Sequence, residues 1–159
     1  MKYAQRKFYV KACVKVANLE MKLKSLSIVL PAYNEAGNIT PLLWEIRLIL
    51  RHLGEYSLLE TIFVDDGSTD TTRDEILSGR EEFPALNIRL VCMEKNGCLT
   101  SAMNAGFRES RGDVVASLDT DLQNDPGDIP KLIEALEEAD VAIGIRVNRK
   151  DTFVKRISS

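Results

Sequence analysis

The sequence predicts an α/β fold: a mostly parallel sheet flanked by helices on both faces, forming one domain. Three observations predict it. Short apolar runs alternate along the chain with segments of helical periodicity. The runs at 26–30, 61–64, 88–92, 114–118 and 141–145 are near-continuous in apolar residues, as in strands buried on both faces. The polar motifs at 31–35, 65–70, 119–123 and 146–149 each follow a run directly, so parallel strands would gather them on one rim.

Each element has its own signal. The run at 26–30 ends at Pro31. Thr40-Pro41 marks a helix start, a capping residue followed by a proline whose missing N–H costs nothing in the first turn. Leu42, Leu43, Ile46, Ile49 and Leu50 then form one apolar stripe reaching about Leu53, and Gly54 stops it. The second strand, 61–64, leads into Asp65-Asp66-Gly67-Ser68, and 70–77 reads as a helix. The third strand is 88–92, with Cys92 expected in the core. A helix over 100–109 carries Ala102, Ala105 and Gly106, small enough for close packing. The strand at 114–118 is followed by the turn signal Asp125-Pro126-Gly127, a helix over 128–138 and a fifth strand at 141–145. No repeat or low-complexity linker divides the chain.

With 159 residues the chain can bury a core as one domain, and 45% hydrophobic against 28% charged residues places it in the ordinary soluble class. The net charge of −3 conceals an asymmetry. Residues 1–24 hold seven Lys/Arg and one acid, residues 146–156 hold five and one, and 25–145 hold nine and twenty-two. Basic ends around an acidic body suggest an anionic surface or a lipid phosphate met at those ends. Residues 1–24 are expected to be a basic N-terminal extension whose first twenty residues are solvated and flexible, with an amphipathic arm at 8–16 (Phe8, Val10, Cys13, Val14, Val16) as the alternative. Met21 stands just before the patterned sequence as a candidate start. Cys13, Cys92 and Cys98 lack metal-ligand spacing, and their odd number argues against a disulfide framework. A cytoplasmic setting is therefore expected, with no secretory signal and no membrane-spanning run.

The rim carries the chemistry. Asp119-Thr120-Asp121 follows the fourth strand, and with Asp65 and Asp66 it would repel an anion unless a divalent ion intervened. Mg²⁺ or Mn²⁺ takes oxygen ligands and shares its shell with a diphosphate, and Gln123 adds a neutral oxygen at the same turn. No His or Ser–His arrangement suits nucleophilic catalysis there, and His52, the only histidine, is expected at the surface. Neither a G-x-G-x-x-G nor a P-loop is present. These residues point to metal-assisted handling of a diphosphate, with Asp65 or Asp66 free to bond a base or ribose.

The motifs also resemble a known family. Ser27-Ile28-Val29-Leu30-Pro31-Ala32-Tyr33-Asn34-Glu35 is similar to the opening strand and loop of glycosyltransferase family 2, which has the GT-A (Rossmann-like) fold. Val64-Asp65-Asp66-Gly67-Ser68-Thr69-Asp70 resembles its second-strand motif. Asp119 through Pro126 resembles the D-x-D-L-Q-x-x-P of its polyprenyl-phosphate branch, which includes dolichol-phosphate mannosyltransferases and bacterial undecaprenyl-phosphate glycosyltransferases. Gly144 through Asp151, with Lys155 through Ser159, is similar to the bacterial members.

The resemblance implies a metal-dependent inverting glycosyltransferase that moves a sugar from a nucleoside-diphosphate sugar to a polyprenyl (dolichyl or undecaprenyl) phosphate. Pro31, Ala32, Tyr33 and Glu35 would cradle the nucleotide, with Asp65 or Asp66 on the base and Asp119 on the diphosphate side. Asp119, Asp121 and Gln123 would hold Mg²⁺ or Mn²⁺. Asp121, Arg146 and Arg149 would serve catalysis, and Arg149, Arg156 and Ser158 or Ser159 would meet the acceptor phosphate. Residues 25–147 would form the catalytic domain and 148–159 the start of a basic, membrane-proximal segment that family members continue. The implied setting is the inner face of an anionic membrane, with no nucleic-acid partner. A family member acting on a glycan or protein, or a nucleotide-sugar-binding module without turnover, are the other readings. Two positions depart from the family. Cys98 stands where a glycine is usual and would be strained at positive φ, and Thr120 replaces an alanine, adding a hydroxyl near the metal.

Overall fold

The computed structural model describes residues 12–15 and 24–144. Six strands form one sheet in the order β4-β3-β2-β5-β1-β6. Its centre is β2 (Lys24–Ala32), parallel to β3 (Tyr56–Asp65) on one side and to β5 (Val114–Ser117) on the other; β3 pairs in parallel with β4 (Ile88–Cys92). β1 (Ala12–Lys15) lies between β5 and β6 (Val141–Ala142), antiparallel to both.

Alternation along the central strands decides which helix covers which face. Leu26, Ile28 and Leu30 with Phe63, Val114, Ala116 and Leu118 point to one side. There they meet Leu42, Leu43 and Ile46 of α1 (Ile39–Ile49), Ile76 of α2 (Thr72–Glu82) and Ile129 and Ile133 of α4 (Ile129–Ala135). Val29, Ile62, Val64 and Val115 point to the other side and meet Ala102 of α3 (Leu99–Glu109). A Cβ at Gly106 would stand 2.4 Å from a methyl of Val29, so only glycine lets α3 approach this closely. The expected mostly parallel sheet with both faces covered is what forms.

Three expectations are corrected. Residues 12–15 are not a solvated extension but a strand: β5 offers one open edge and the two-residue β6 pairs only with β1, so a short extended segment satisfies both sets of backbone groups. β3 begins at Tyr56, five residues ahead of the expected strand, because polar Ser57 and Glu60 interrupt its apolar pattern. Cys92 is exposed, since it ends β4, a strand with one free edge. Ile145 of the expected fifth strand lies outside the described residues.

Near the amino ends of the strands an acidic network ties the sheet to the turn after α3. The buried Glu60 carboxylate accepts hydrogen bonds from the Ser27 hydroxyl (2.9 Å), Arg89 (2.7 Å) and the Arg111 N–H (2.8 Å). Burial alone would push its pKa up. The bonds from Arg89, Ser27 and Arg111 outweigh that and hold it below the usual value. Asp113 likewise accepts from the backbone (2.9 Å) and hydroxyl (2.8 Å) of Ser25.

Candidate nucleotide and metal site

At the carboxyl ends of β2, β3 and β5 lies a cavity of about 350 Å³. Pro31, Ala32, Tyr33 and Glu35 form one wall, Asp66 stands behind, and Asp119, Thr120 and Asp121 form the opposite wall. The loops after these three strands thus meet at one cavity, while the fourth motif of the expected rim, 146–149, lies outside the described residues. These eight residues reach it from three separate strands.

The first two loops are bonded into a single body. The Asn34 N–H donates to the Ser68 hydroxyl (3.0 Å), and the Thr69 N–H donates back to the Asn34 amide oxygen (2.9 Å). The Glu35 N–H donates to the Thr72 hydroxyl (2.8 Å), and the Ala36 N–H to Asp70 (3.2 Å). The Gly37 N–H reaches the Glu75 carboxylate (2.9 Å), and the Asp66 N–H the Ala32 carbonyl (2.8 Å). Asn34 takes positive φ (53°), which asparagine tolerates because its side chain bonds locally. Asp70 is held below the usual carboxylate range first by the Thr72 hydroxyl. Asn34, Ser68, Asp70, Thr72 and Glu75 are therefore clamps, a role the motif reading did not give them.

The two adjacent aspartates separate. Asp65 is buried, accepts from the Ser68 N–H (3.0 Å) and pairs with Arg73, so its charge is neutralised inside the protein, and it does not line the cavity. Asp66 does line it, and its carboxylate accepts from the Gly97 N–H at 2.8 Å. Gly67 allows this approach: at φ 79° a Cβ there would stand 2.9 Å from the Asn96 nitrogen.

The third loop follows β5. Thr120 lines the cavity between Asp119 and Asp121, and its hydroxyl donates to the Pro31 carbonyl (2.9 Å), joining this loop to the first. Asp121 accepts from the Gln123 N–H (3.0 Å), while Gln123 is exposed and does not line the cavity. Leu122 between them has positive φ (58°). Among the described residues no cluster of three or more His, Cys, Asp or Glu is assembled for a metal. The donor set still fits a hard cation: Mg²⁺ is commonly held by one or two carboxylates, with substrate phosphates and water completing its shell.

A further wall was missed in the motif reading. Asn96, Cys98, Leu99 and Ala102 also line the cavity, from the turn after β4 and the start of α3. Its signal was available, because Asn96-Gly97 is a turn dipeptide following a parallel strand. Cys98 does adopt φ 82°, the conformation expected to strain it. Its exposed thiol has a lowered pKa, owing first to the Ser101 N–H and then to the Ser101 hydroxyl. Arg146, Arg149, Arg156, Ser158 and Ser159 lie outside the described residues. No helix among the described residues is long and apolar enough to cross a membrane.

The profile of the family described as Glycosyl transferase family 2 matches residues 27–158. The undecaprenyl-phosphate 4-deoxy-4-formamido-L-arabinose transferase of Pectobacterium carotovorum subsp. carotovorum is 38% identical over 138 residues, 86% of this chain and 41% of that protein. The dodecaprenyl-phosphate galacturonate synthase of Rhizobium johnstonii is 40% identical over 139 residues, 84% of this chain and 40% of that protein. The chain thus spans about two fifths of the length of these relatives. The glucosyl-3-phosphoglycerate synthase of Mycobacterium tuberculosis, crystallised with Mn²⁺, UDP and phosphoglyceric acid, superposes with a TM-score of 0.57 at 25% identity. That match covers 71% of this chain and 39% of the other.

Proposed function

Because the chain belongs to glycosyltransferase family 2, we propose that its rim binds a nucleoside-diphosphate sugar with Mg²⁺ or Mn²⁺ and serves inverting sugar transfer to a polyprenyl phosphate. One observation carries this reading. Asp66, Asp119 and Asp121 face a single cavity, and among the described residues no ion pair engages Asp66 or Asp121. Carboxylates such as Asp66 and Asp121 that face one cavity favour a bound cation.

Tyr33 is about half exposed on the wall formed by the clamped loops, suited to lie against a base or ribose, and Asp66 offers a carboxylate oxygen to a base N–H. Asp119 and Asp121 would hold the metal, with Gln123 able to join through its amide oxygen. When bound, the ion supplies Lewis-acid stabilisation for charge growing on the departing diphosphate. Arg146 and Arg149 would add fixed cations, and Arg149, Arg156 and Ser158 or Ser159 would meet the acceptor phosphate. An acceptor phosphate is already ionised near neutral pH, so its oxygen attacks the anomeric carbon without a strong general base. Both sequence relatives carry polyprenyl phosphates in their names, which supports this acceptor; an acceptor borne on lipid would in turn call for a peripheral position on an anionic, cytoplasmic membrane face.

Calorimetry with UDP and GDP, with and without Mn²⁺, tests the donor site. Metal-dependent binding of at least one is expected, and none for any nucleoside diphosphate would sink the reading. Incubation with a nucleotide sugar and a short-chain polyprenyl phosphate tests transfer; binding without turnover would leave a binding module.

A further inference from the structure

α1 covers the sheet with Ile39, Leu42, Leu43, Ile46 and Ile49, and its opposite face is unlike the rest of this acidic domain. That face carries Trp44 (47% exposed) and Leu48 (57% exposed), one helical turn apart. Arg47 and Arg51 are exposed beside them, again one turn apart. The Arg47 guanidinium lies 5.2 Å from the centre of the Trp44 ring, and that ring meets Phe83 edge-on at 5.0 Å. Neither arginine is ion-paired among the described residues, although α2 ends in Glu81 and Glu82 next to Phe83. Residues 25–145 hold nine basic and twenty-two acidic residues, and two of those nine lie together on this face.

We propose that this face of α1 is a docking surface for an anionic phospholipid bilayer. The chemistry on both sides matches. Tryptophan places an apolar body and a polar N–H at the boundary between headgroups and acyl chains, and leucine enters the apolar layer. Arginines beside them meet the negative surface potential of anionic lipid, while the carboxylates elsewhere on the domain oppose any other orientation. The placement also suits a lipid-borne substrate. α1 starts at Ile39, directly after the loop carrying Tyr33 and Glu35, so a helix lying in the interface brings one end of the cavity wall to the headgroup layer. This deepens the proposed function, resting on it for the lipid acceptor.

Trp44 is the only tryptophan in the chain, so its fluorescence reports on this face alone. With vesicles of phosphatidylcholine plus phosphatidylglycerol, its emission should shift to the blue and be quenched by brominated acyl chains. Phosphatidylcholine alone, or high salt, should abolish both changes. The double substitution Arg47→Gln/Arg51→Gln should weaken partitioning about thirtyfold, with the melting temperature and Mn²⁺-dependent nucleotide binding unchanged. Failure to bind vesicles would overturn the proposal, as would binding with unaltered Trp44 emission or binding indifferent to the double substitution. A blue shift that grows with protein concentration without lipid would overturn it in favour of a second copy of the chain. Loss of nucleotide binding in the unsubstituted protein would overturn the donor reading and leave the vesicle result standing.

Discussion

Acidic side chains sit toward both ends of the parallel strands, and the two ends dispose of that charge in opposite ways. Toward the amino ends, Glu60 and Asp113 are met by Arg89, Arg111, Ser25 and Ser27, so their charge is neutralised or bonded within the protein. At the carboxyl ends, the Asp66 and Asp121 carboxylates each accept a backbone N–H, and the ion pairs of the described residues pass them by. Asp65, beside Asp66 in sequence, follows the first pattern because Arg73 reaches it. A carboxylate neutralised from within holds the fold together. One left facing a cavity is available to a ligand, at some cost to stability before that ligand arrives.

The largest effect expected from this contrast is at the carboxyl ends. Asp121→Ala should weaken Mn²⁺-dependent nucleotide binding by about 100-fold or more, the upper end of what losing even a supporting metal partner costs. Its melting temperature should stay the same or rise, since a carboxylate facing its like is removed. A fall of several degrees would place Asp121 with the structural acids and break the contrast; titration calorimetry and thermal melting read the two quantities.

Glu60→Ala should do the reverse. Removing the carboxylate leaves the Ser27 hydroxyl and the Arg111 N–H without their acceptor, while Arg89 keeps its second partner Glu109 (2.8 Å) and is 27% exposed, so the cost should be about 2–3 kcal/mol rather than the larger values of fully buried pairs. Urea denaturation would measure it, with nucleotide affinity unchanged. The sign with pH follows from the direction of the shift. The folded pKa of Glu60 lies below the ordinary 4.5, so its stabilisation is complete above that value and is lost as pH falls through the folded one. Glu60→Gln should therefore flatten the acid limb of the stability curve, and an unchanged limb would mean other carboxylates carry it.

The carboxyl-end acids could be read from sequence because parallel strands and post-strand motifs together fix where those residues go. The amino-end network could not. Glu60 breaks an apolar run and stands just before the expected strand at 61–64, while its partners Ser27, Arg89 and Arg111 are separated from it by 33, 29 and 51 positions. β1 was hidden for a related reason: a four-residue strand carries little pattern of its own, and only the open edge of β5 makes it worthwhile. Motif matching also blurred Asp65 with Asp66, since nothing in Val64-Asp65-Asp66 says which carboxylate Arg73 will take.

The smallest expected effect lies at Cys98, where the resemblance to family 2 implied strain at positive φ. With φ 82° and ψ 159°, this residue occupies backbone space that suits glycine, at a cost of about 1–3 kcal/mol. Glycine there would relieve the strain but lose more chain entropy on folding, about 0.5–1 kcal/mol. Cys98→Gly should therefore stabilise the chain by about 1 kcal/mol, visible in urea denaturation, and change nucleotide affinity little. If affinity instead falls tenfold, the thiol contacts the ligand, and the strain is tolerated for binding. If stability falls, the left-handed turn is not strained, and the site is held together more loosely than the clamped loops beside it suggest.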